Sequence, residues 1–350
     1  MGTFILKKIG YGLLVLLGVV ILVNVLFVGL GDPVKMVAGQ RTDKKTMDNI
    51  RKDLRMDSNK VTSFFMYLND VSPIGTYTTQ EIRDLKISGL FVGHDENKWG
   101  IKLPYLRRST QTKKEVTTIL LDALPGTLLL TMAAMLIAII FGILLGVVAA
   151  VKQNTWLDTS AVMGSIVGIA APSFFMGIII AYLFGFVLSK YTGLNFAGSW
   201  MDVEPYQGKF WNLKNLILPA ITLGIRPLAI ITQLTRSSML DVLAEDYIRT
   251  AYAKGLSQRQ VIWKHALRNA LNPVITAITG WFAELLAGAF FVEYIFGWKG
   301  IGKVTVDALE KLDFPVVMGS VLLTASIFVV INIVADVLYS VVDPRIKNSR

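Results

Sequence analysis

The chain has 350 residues, 53% of them apolar and only 17% charged, against roughly 25% charged in ordinary soluble domains. It contains no cysteine, which excludes disulfides, thiolate metal ligands and cysteine nucleophiles together. Its net charge of +10 comes with no motif that reads nucleic acid, so the charge is no argument for such a partner.

The apolar residues are gathered into runs rather than spread at core periodicity. Residues 9–30, 125–151, 159–188, 216–234, 273–296 and 315–342 each reach the roughly 20 residues that cross a hydrocarbon core. The second and third runs hold no charged residue before Lys152 and Lys190, which buried core helices of a soluble protein would not sustain. Six helices also satisfy their backbone groups internally, as lipid requires. The expected fold is therefore an all-α integral membrane protein with six transmembrane helices.

Lys7 and Lys8 precede the first run in the manner of a signal peptide. Its length and the absence of a small-x-small site at Gly31-Asp32-Pro33 favour an uncleaved first span. After this first division, residues 1–30, comes an extracytoplasmic segment, residues 31–118. It mixes helical pattern (43–54 and 63–68), turn signals at Ser72-Pro73-Ile74-Gly75 and Gly93-His94-Asp95, and a basic patch at Arg107 and Arg108. It reads as a small ordered cap or docking surface. The remainder, residues 119–350, is a five-helix core.

In that core, Gly142-x-x-x-Gly146 and Gly164-x-x-x-Gly168 offer close helix contact. Pro172 and Pro227 interrupt the third and fourth spans and free carbonyls that are tolerable only against protein or water. Arg226, Glu284 and Asp336 are ionisable residues inside the runs. By helical rise, Arg226 and Glu284 both fall near mid-membrane, at about 15–16 Å from a span end. Charges there face the bundle interior or a water-filled path. Two readings stay open for them: a structural ion pair, or contact with the charged ends of a translocating solute. Asp336, one turn from Asn332, reads as a packing or gate contact.

Between the fourth and fifth runs lies a basic, helix-forming island, part of residues 241–272. Strong helix formers run to Lys254, and Gly255 sits where a helix C-terminus favours positive φ. Ser257-x-x-Gln260 has the form of a capping box for a second helix, and Pro273 marks the start of the fifth span. The island is thus helix, glycine turn, helix. It could lie on anionic headgroups or dock a protein, and small residues at Ala251, Ala253 and Gly255 favour docking.

Beyond the fifth run, Gly297-Trp298-Lys299-Gly300-Ile301-Gly302-Lys303-Val304 nearly matches a phosphate-binding loop. Val304 replaces the magnesium-holding hydroxyl, and the segment follows a membrane run rather than a strand. Its glycines read instead as a tight re-entrant turn. His94 and His265 fall on opposite sides of the expected topology, so no histidine metal site is expected.

Orientation comes from the short loops. Lys7, Lys8, Lys152, Arg236, Arg249, Lys254, Arg259, Lys264, Arg268, Arg345, Lys347 and Arg350 lie on one side. Only Lys190, Lys209, Lys214, Lys299, Lys303 and Lys311 lie in the short loops opposite. The positive-inside rule places both termini in the cytoplasm.

The stretch Asp246-Tyr247-Ile248-Arg249-Thr250-Ala251-Tyr252-Ala253-Lys254-Gly255-Leu256, followed by His265-Ala266-Leu267-Arg268-Asn269-Ala270-Leu271-Asn272-Pro273, resembles the EAA loop of ABC importer permeases. More narrowly it is similar to the dipeptide and oligopeptide (peptide/nickel) permease family. Residues 234–240, Phe291-Val292-Glu293-Tyr294-Ile295-Phe296-Gly297-Trp298 and Asp343-Pro344-Arg345 extend the likeness from about residue 117 onward.

The resemblance implies a type I ABC importer permease in the bacterial inner membrane. It implies pairing with a second, homologous permease, two cytoplasmic ATPases and an extracytoplasmic peptide-binding protein. The chain itself would be non-catalytic and bind no cofactor, with ATP and magnesium held by partner subunits. Carried over, the ATPase-coupling loop comprises Glu245, Asp246, Tyr247, Arg249, Thr250, Ala251, Ala253, Lys254, Gly255 and Leu256, with the docking signature on Glu245, Ala251 and Gly255. Arg226, Glu284, Pro172 and Pro227 are candidates for the translocation path. Departures from the family pattern are Thr250, in place of the first alanine, and a longer outer segment. The competing class is an ion-gradient-driven secondary transporter, which would show inverted repeats; none is evident. A purely structural membrane subunit leaves the island unexplained.

Overall fold

A computed structural model of the chain describes residues 2–29, 59–204 and 208–342, with isolated positions 34, 45, 47, 48, 51 and 55. The helical pattern expected over 43–54 and the tail motif at 343–345 lie largely or wholly outside the described residues. The chain divides into two compact units, Met1–Leu124 with Val304–Ser326, and Pro125–Lys303 with Ile327–Arg350.

In the first unit, α1 (Gly2–Gly29) is apolar and exposed along most of its length, as a helix facing lipid would be. Helix α2 (Lys60–Val71) covers the expected helical stretch at 63–68. Strand β1 (Ile74–Tyr77), α3 (Thr79–Leu85), β2 (Gly89–His94) and β3 (Asn97–Lys102) follow. The strands form an antiparallel sheet in the order β1-β3-β2, with Ile74 opposite Ile101 and Leu90 also opposite Ile101. The all-α expectation is corrected here: strands of four to six residues are too short to stand out against the helical signal of the rest. Glycine makes the sheet possible, since a Cβ at Gly100 would lie 2.1 Å from the carbonyl oxygen of Leu90.

Asp70 is the electrostatic hub of this segment. Fully buried, its carboxylate accepts from Arg55 at 2.8 Å, Arg107 at 3.0 Å and the Tyr77 hydroxyl at 3.1 Å. Its backbone carbonyl accepts from the Lys102 ammonium and, at 2.8 Å, from the Tyr105 amide. Burial pulls the Lys102 ammonium down to about 8 and pushes the Tyr67 hydroxyl up to about 12, with Tyr77 raised further by the Asp70 charge as well. Between pH 8 and 10 the unfolded chain therefore holds a proton on Lys102 that the folded chain has lost, so stability should rise with pH. Above pH 10 the two tyrosines bind more protons folded than unfolded, and stability should fall. Proteolytic resistance of residues 59–115 in the purified protein should follow this rise and fall, and Lys102→Met should abolish the rise.

The unit also takes in most of α12 (Ile301–Glu310) and the first half of the last helix. Asp313 closes this part of the chain by accepting from the Thr110 amide at 3.0 Å and from the Ser109 hydroxyl.

The second unit is the helical body. It comprises most of α4 (Val116–Val151), then α5 (Trp156–Ala170) and α6 (Ser173–Ile180), whose end opens into wide π-type turns over Ala181–Val187. A hairpin, β4 (Met201–Glu204) and β5 (Gly208–Trp211), precedes α7 (Lys214–Leu243). Then come α8 (Asp246–Ala253), α9 (Gln258–Gln260), π-type turns over Val261–Ala266, α10 (Leu267–Gly288) and α11 (Phe290–Ile295). Helices α12 and α13 (Phe314–Val342) complete the chain.

Among the described residues, four helices are long and apolar enough to cross a membrane: α1, α4, α7 and α13. Helices α5 and α6 meet that test only as a pair, bent by 111°. The third run is thus broken at Ala171-Pro172, where Pro172 leads α6 without donating a backbone bond, rather than forming one straight span. The fifth run also differs from expectation. Helix α10 starts upstream of Pro273, stops at Gly288 and falls short of the same apolarity, because Asn269, Asn272, Thr276, Thr279 and Glu284 dilute it.

Glycines fix the close packing. A Cβ at Gly142 would touch the Ile231 side chain at 2.8 Å, and one at Gly146 the Thr232 carbonyl at 2.7 Å, so α4 lies directly on α7. Gly168 likewise faces Ile225 and Ala229 of α7, whereas Gly164 faces open space, so only half of the second glycine pair serves packing. Pro227 leaves α7 continuous. Its missing N–H deprives one carbonyl a turn earlier of its helical donor without breaking the rod.

Candidate functional site

The island folds as helix, turn, helix, and each turn in it has a local cause. Helix α7 ends at Leu243, Glu245 is the N-cap of α8, and α8 runs eight residues to Ala253. The break at Ala244 is the one feature that the continuous helix-forming pattern of 241–254 does not foretell. At the far end Gly255 takes φ +78. Its amide donates to the Tyr252 carbonyl at 2.9 Å and the Leu256 amide to Ala251 at 3.3 Å, the paired bonds of a Schellman motif. Ser257 then accepts from the Gln260 amide while the Gln260 side chain accepts from the Ser257 amide. That capping box, a feature of about 1 kcal/mol, starts a helical rod through the π-type turns into α10.

Helix α8 is seated on this rod. Ile248 and Ala251 are buried with Val261, Ile262, Ala266 and Met239, and the Tyr247 hydroxyl accepts from the Asn269 side chain at 2.8 Å. The small side chain at Ala251 lets the two helices approach each other and is buried between them. Glu245, Asp246, Tyr247, Arg249, Thr250, Ala253, Lys254 and Gly255 form the exposed side, with Leu256 half-buried at the turn. A Cβ at Gly255 would meet nothing within 4 Å, so its surface is open.

Arg226 on α7 and Glu284 on α10 approach each other at 3.9 Å, with side chains 53% and 55% exposed. The Arg226 guanidinium also lies 5.4 Å over the Trp281 ring, a partner that the sequence reading did not include. A second pair has the opposite character. Arg236 on α7 binds Asp158 on α5 through two nitrogens, one at 2.8 Å, and the Asp158 side chain is 6% exposed and also accepts from the Asn154 amide. Helices α7 and α10 pack against each other; α7 is the least apolar of the four candidate spans, and α10 falls short of that class.

The near-phosphate loop proves to hold an anion of the chain's own. Glu293 on α11 is fully buried; its carboxylate accepts from the Thr127 hydroxyl at 2.7 Å, the Lys303 amide at 3.1 Å and the Gly302 amide. Thr127 in turn accepts from the Ile301 amide at 2.8 Å, and the Trp298 indole donates to the Gly126 carbonyl at 2.8 Å. A Cβ at Gly300 would lie 2.4 Å from both carboxylate oxygens, and Gly297 sits at φ +64. Successive backbone amides thus form a nest around a carboxylate where the motif suggests a phosphate. In the sequence Glu293 stands out only by the glycine-rich loop that follows it within ten residues.

Two family models match this chain. The description "Binding-protein-dependent transport system inner membrane component" covers residues 142–348, and its N-terminal counterpart covers residues 1–131. The chain belongs to this family of transport-system membrane components. The likeness to the family reaches further toward the N-terminus than residue 117, from which the motifs carry it. Among relatives of the family, the dipeptide transport system permease protein of Haemophilus influenzae is 43% identical over 255 residues, 69% of this chain and 76% of that protein. The di/tripeptide transport system permease protein of Pseudomonas aeruginosa is 42% identical over 259 residues, 70% of this chain and 77% of its own length. The glutathione transport system permease protein of Escherichia coli K12 is 32% identical over 347 residues, 99% of each.

Proposed function

We propose that this chain is the permease subunit of an ATP-driven, binding-protein-dependent importer of peptides, forming half of the translocation path. Family membership and relatives that transport dipeptides, di/tripeptides and glutathione support the reading. The observation that carries the mechanism is the exposed, doubly capped helix pair joined rigidly to α10. A rod with both turns hydrogen-bonded transmits displacement, where a floppy loop would absorb it.

In this reading two ATPase subunits grip the exposed side of α8 from the cytoplasm. Their closure on ATP pushes α8, and the α9–α10 rod carries the push into the bilayer. ATP and magnesium stay with the ATPases, and the chain itself performs no catalysis. A second, homologous permease supplies the other half of the path, and an extracytoplasmic binding protein delivers the peptide. The six spans are α1, α4, the bent α5–α6 pair, α7, α10 with α11, and α13, with both termini cytoplasmic in a bacterial inner membrane, as the Lys and Arg distribution favours.

The test is reconstitution of the complex in liposomes with a radiolabelled dipeptide. Uptake should require ATP, both ATPases and the binding protein, and should ignore imposed proton and sodium gradients. Uptake by this chain alone under an ion gradient would overturn the proposal in favour of a secondary transporter.

A further inference from the structure

Building on the importer reading, we infer that Arg226 and Glu284 form an exchangeable charge pair that receives the two ends of a zwitterionic peptide, the carboxylate on Arg226 and the ammonium on Glu284.

The contrast between the two ion pairs described on α7 carries the inference. Arg236 and Asp158 are built as a structural bridge: two-pronged contact, a nearly inaccessible carboxylate and an additional backbone donor. Arg226 and Glu284 show none of this. Their single contact of 3.9 Å exceeds the roughly 2.7–2.9 Å of a formed charge-assisted hydrogen bond. Both side chains are more than half exposed, although α7 is the most buried of the four candidate spans.

Ionisable residues inside a bilayer face the bundle interior or a water-filled path rather than lipid, and mark solute pathways. The host helices agree, being the two least apolar of the long rods and packed on each other. Pro227 next to Arg226 adds a freed carbonyl to the same stretch of α7. Trp281 holds the guanidinium from one side, leaving its fork of donors free for a planar carboxylate.

The dimensions fit. An extended dipeptide spans at most about 7 Å between its ends, so it can lodge between two side chains that part by a few ångströms. The two protein charges neutralise each other when no peptide is present and are neutralised by peptide when it enters. Neither state leaves an unpaired charge, which lets the solute pass without a deep binding well. The preferred class is therefore small peptides with free amino and carboxyl ends.

The test uses the reconstituted complex with radiolabelled Ala-Phe. Arg226→Gln and Glu284→Gln should each lower uptake by about ten-fold or more, the loss of one charge-assisted contact, while still co-purifying with the ATPases. The reversed pair R226E/E284R should assemble but stay slow, because the path now presents its charges in the wrong order. Recovery of uptake in the reversed pair, or normal uptake in both single variants, would overturn the inference and leave a purely structural bridge.

If the variants fail to assemble, a diazirine-bearing dipeptide crosslinked to the unmodified complex during turnover decides. Adducts on residues 223–227 or 281–284 support the inference, and adducts confined to other segments overturn it. A wild-type complex that moves neither Ala-Phe nor a tripeptide nor glutathione defeats the importer reading itself, an outcome separable from both.

Discussion

Replacing Gly255 with valine should cut peptide uptake by about ten-fold or more while the protein still reaches the membrane. Two costs combine there. Positive φ disfavours a side chain by roughly 1–2 kcal/mol, most for a β-branched one, and the turn it maintains sets the angle between α8 and the α9–α10 rod. The open space around Gly255 means that nothing inside the chain resists a side chain sterically. Asparagine, which tolerates the left-handed conformation, separates the two effects. Should Gly255→Asn transport normally and Gly255→Val not, the turn geometry is what matters. Should both lose uptake together with ATPase co-purification, the open surface at Gly255 is occupied by the partner. Normal transport by Gly255→Arg, the bulkiest exposed replacement, would remove the docking loop from the mechanism.

Glu293→Ala is expected to be the most damaging single change to the stability of the helical body. It strips the acceptor from the Thr127 hydroxyl and from the Lys303 and Gly302 amides, and each buried group left without its partner costs about 1–3 kcal/mol. The thermal midpoint of the purified protein, followed by tryptophan fluorescence, should drop accordingly. Trp298, fully buried beside the nest, is a natural reporter. Gly300→Ala should be severe in the wild type, because its Cβ falls on the carboxylate. In the Glu293→Ala background that carboxylate is gone, so the second substitution should cost far less than it does alone. Additive losses would mean that the glycine serves the loop's backbone and not the carboxylate.

The two ends of the island show how far local rules reach. Gly255 and the Ser257–Gln260 box were legible because their bonds close within six residues. The break at Ala244 was not, since no residue there disfavours helix; it follows from seating Ile248 and Ala251 on the rod. The same packing moved Ala251 from the expected docking side to the interior. The sheet in residues 74–102 is not legible in the sequence because Gly89 and Gly100 let neighbouring strands approach closely, a relation that periodicity along one strand does not contain.

By itself the sequence determined the membrane class, the family likeness and the capped helix pair, because run length, composition and turn chemistry act over a few residues to a few turns. Only the tertiary structure decided that the glycine-rich loop encloses Glu293, whose partner Thr127 lies 166 residues away. It also decided which of two arginines on α7 is locked on a buried aspartate and which lies exposed, 3.9 Å from a glutamate. Both depend on what distant helices place within hydrogen-bond range, and that distance is set by packing rather than by spacing along the chain.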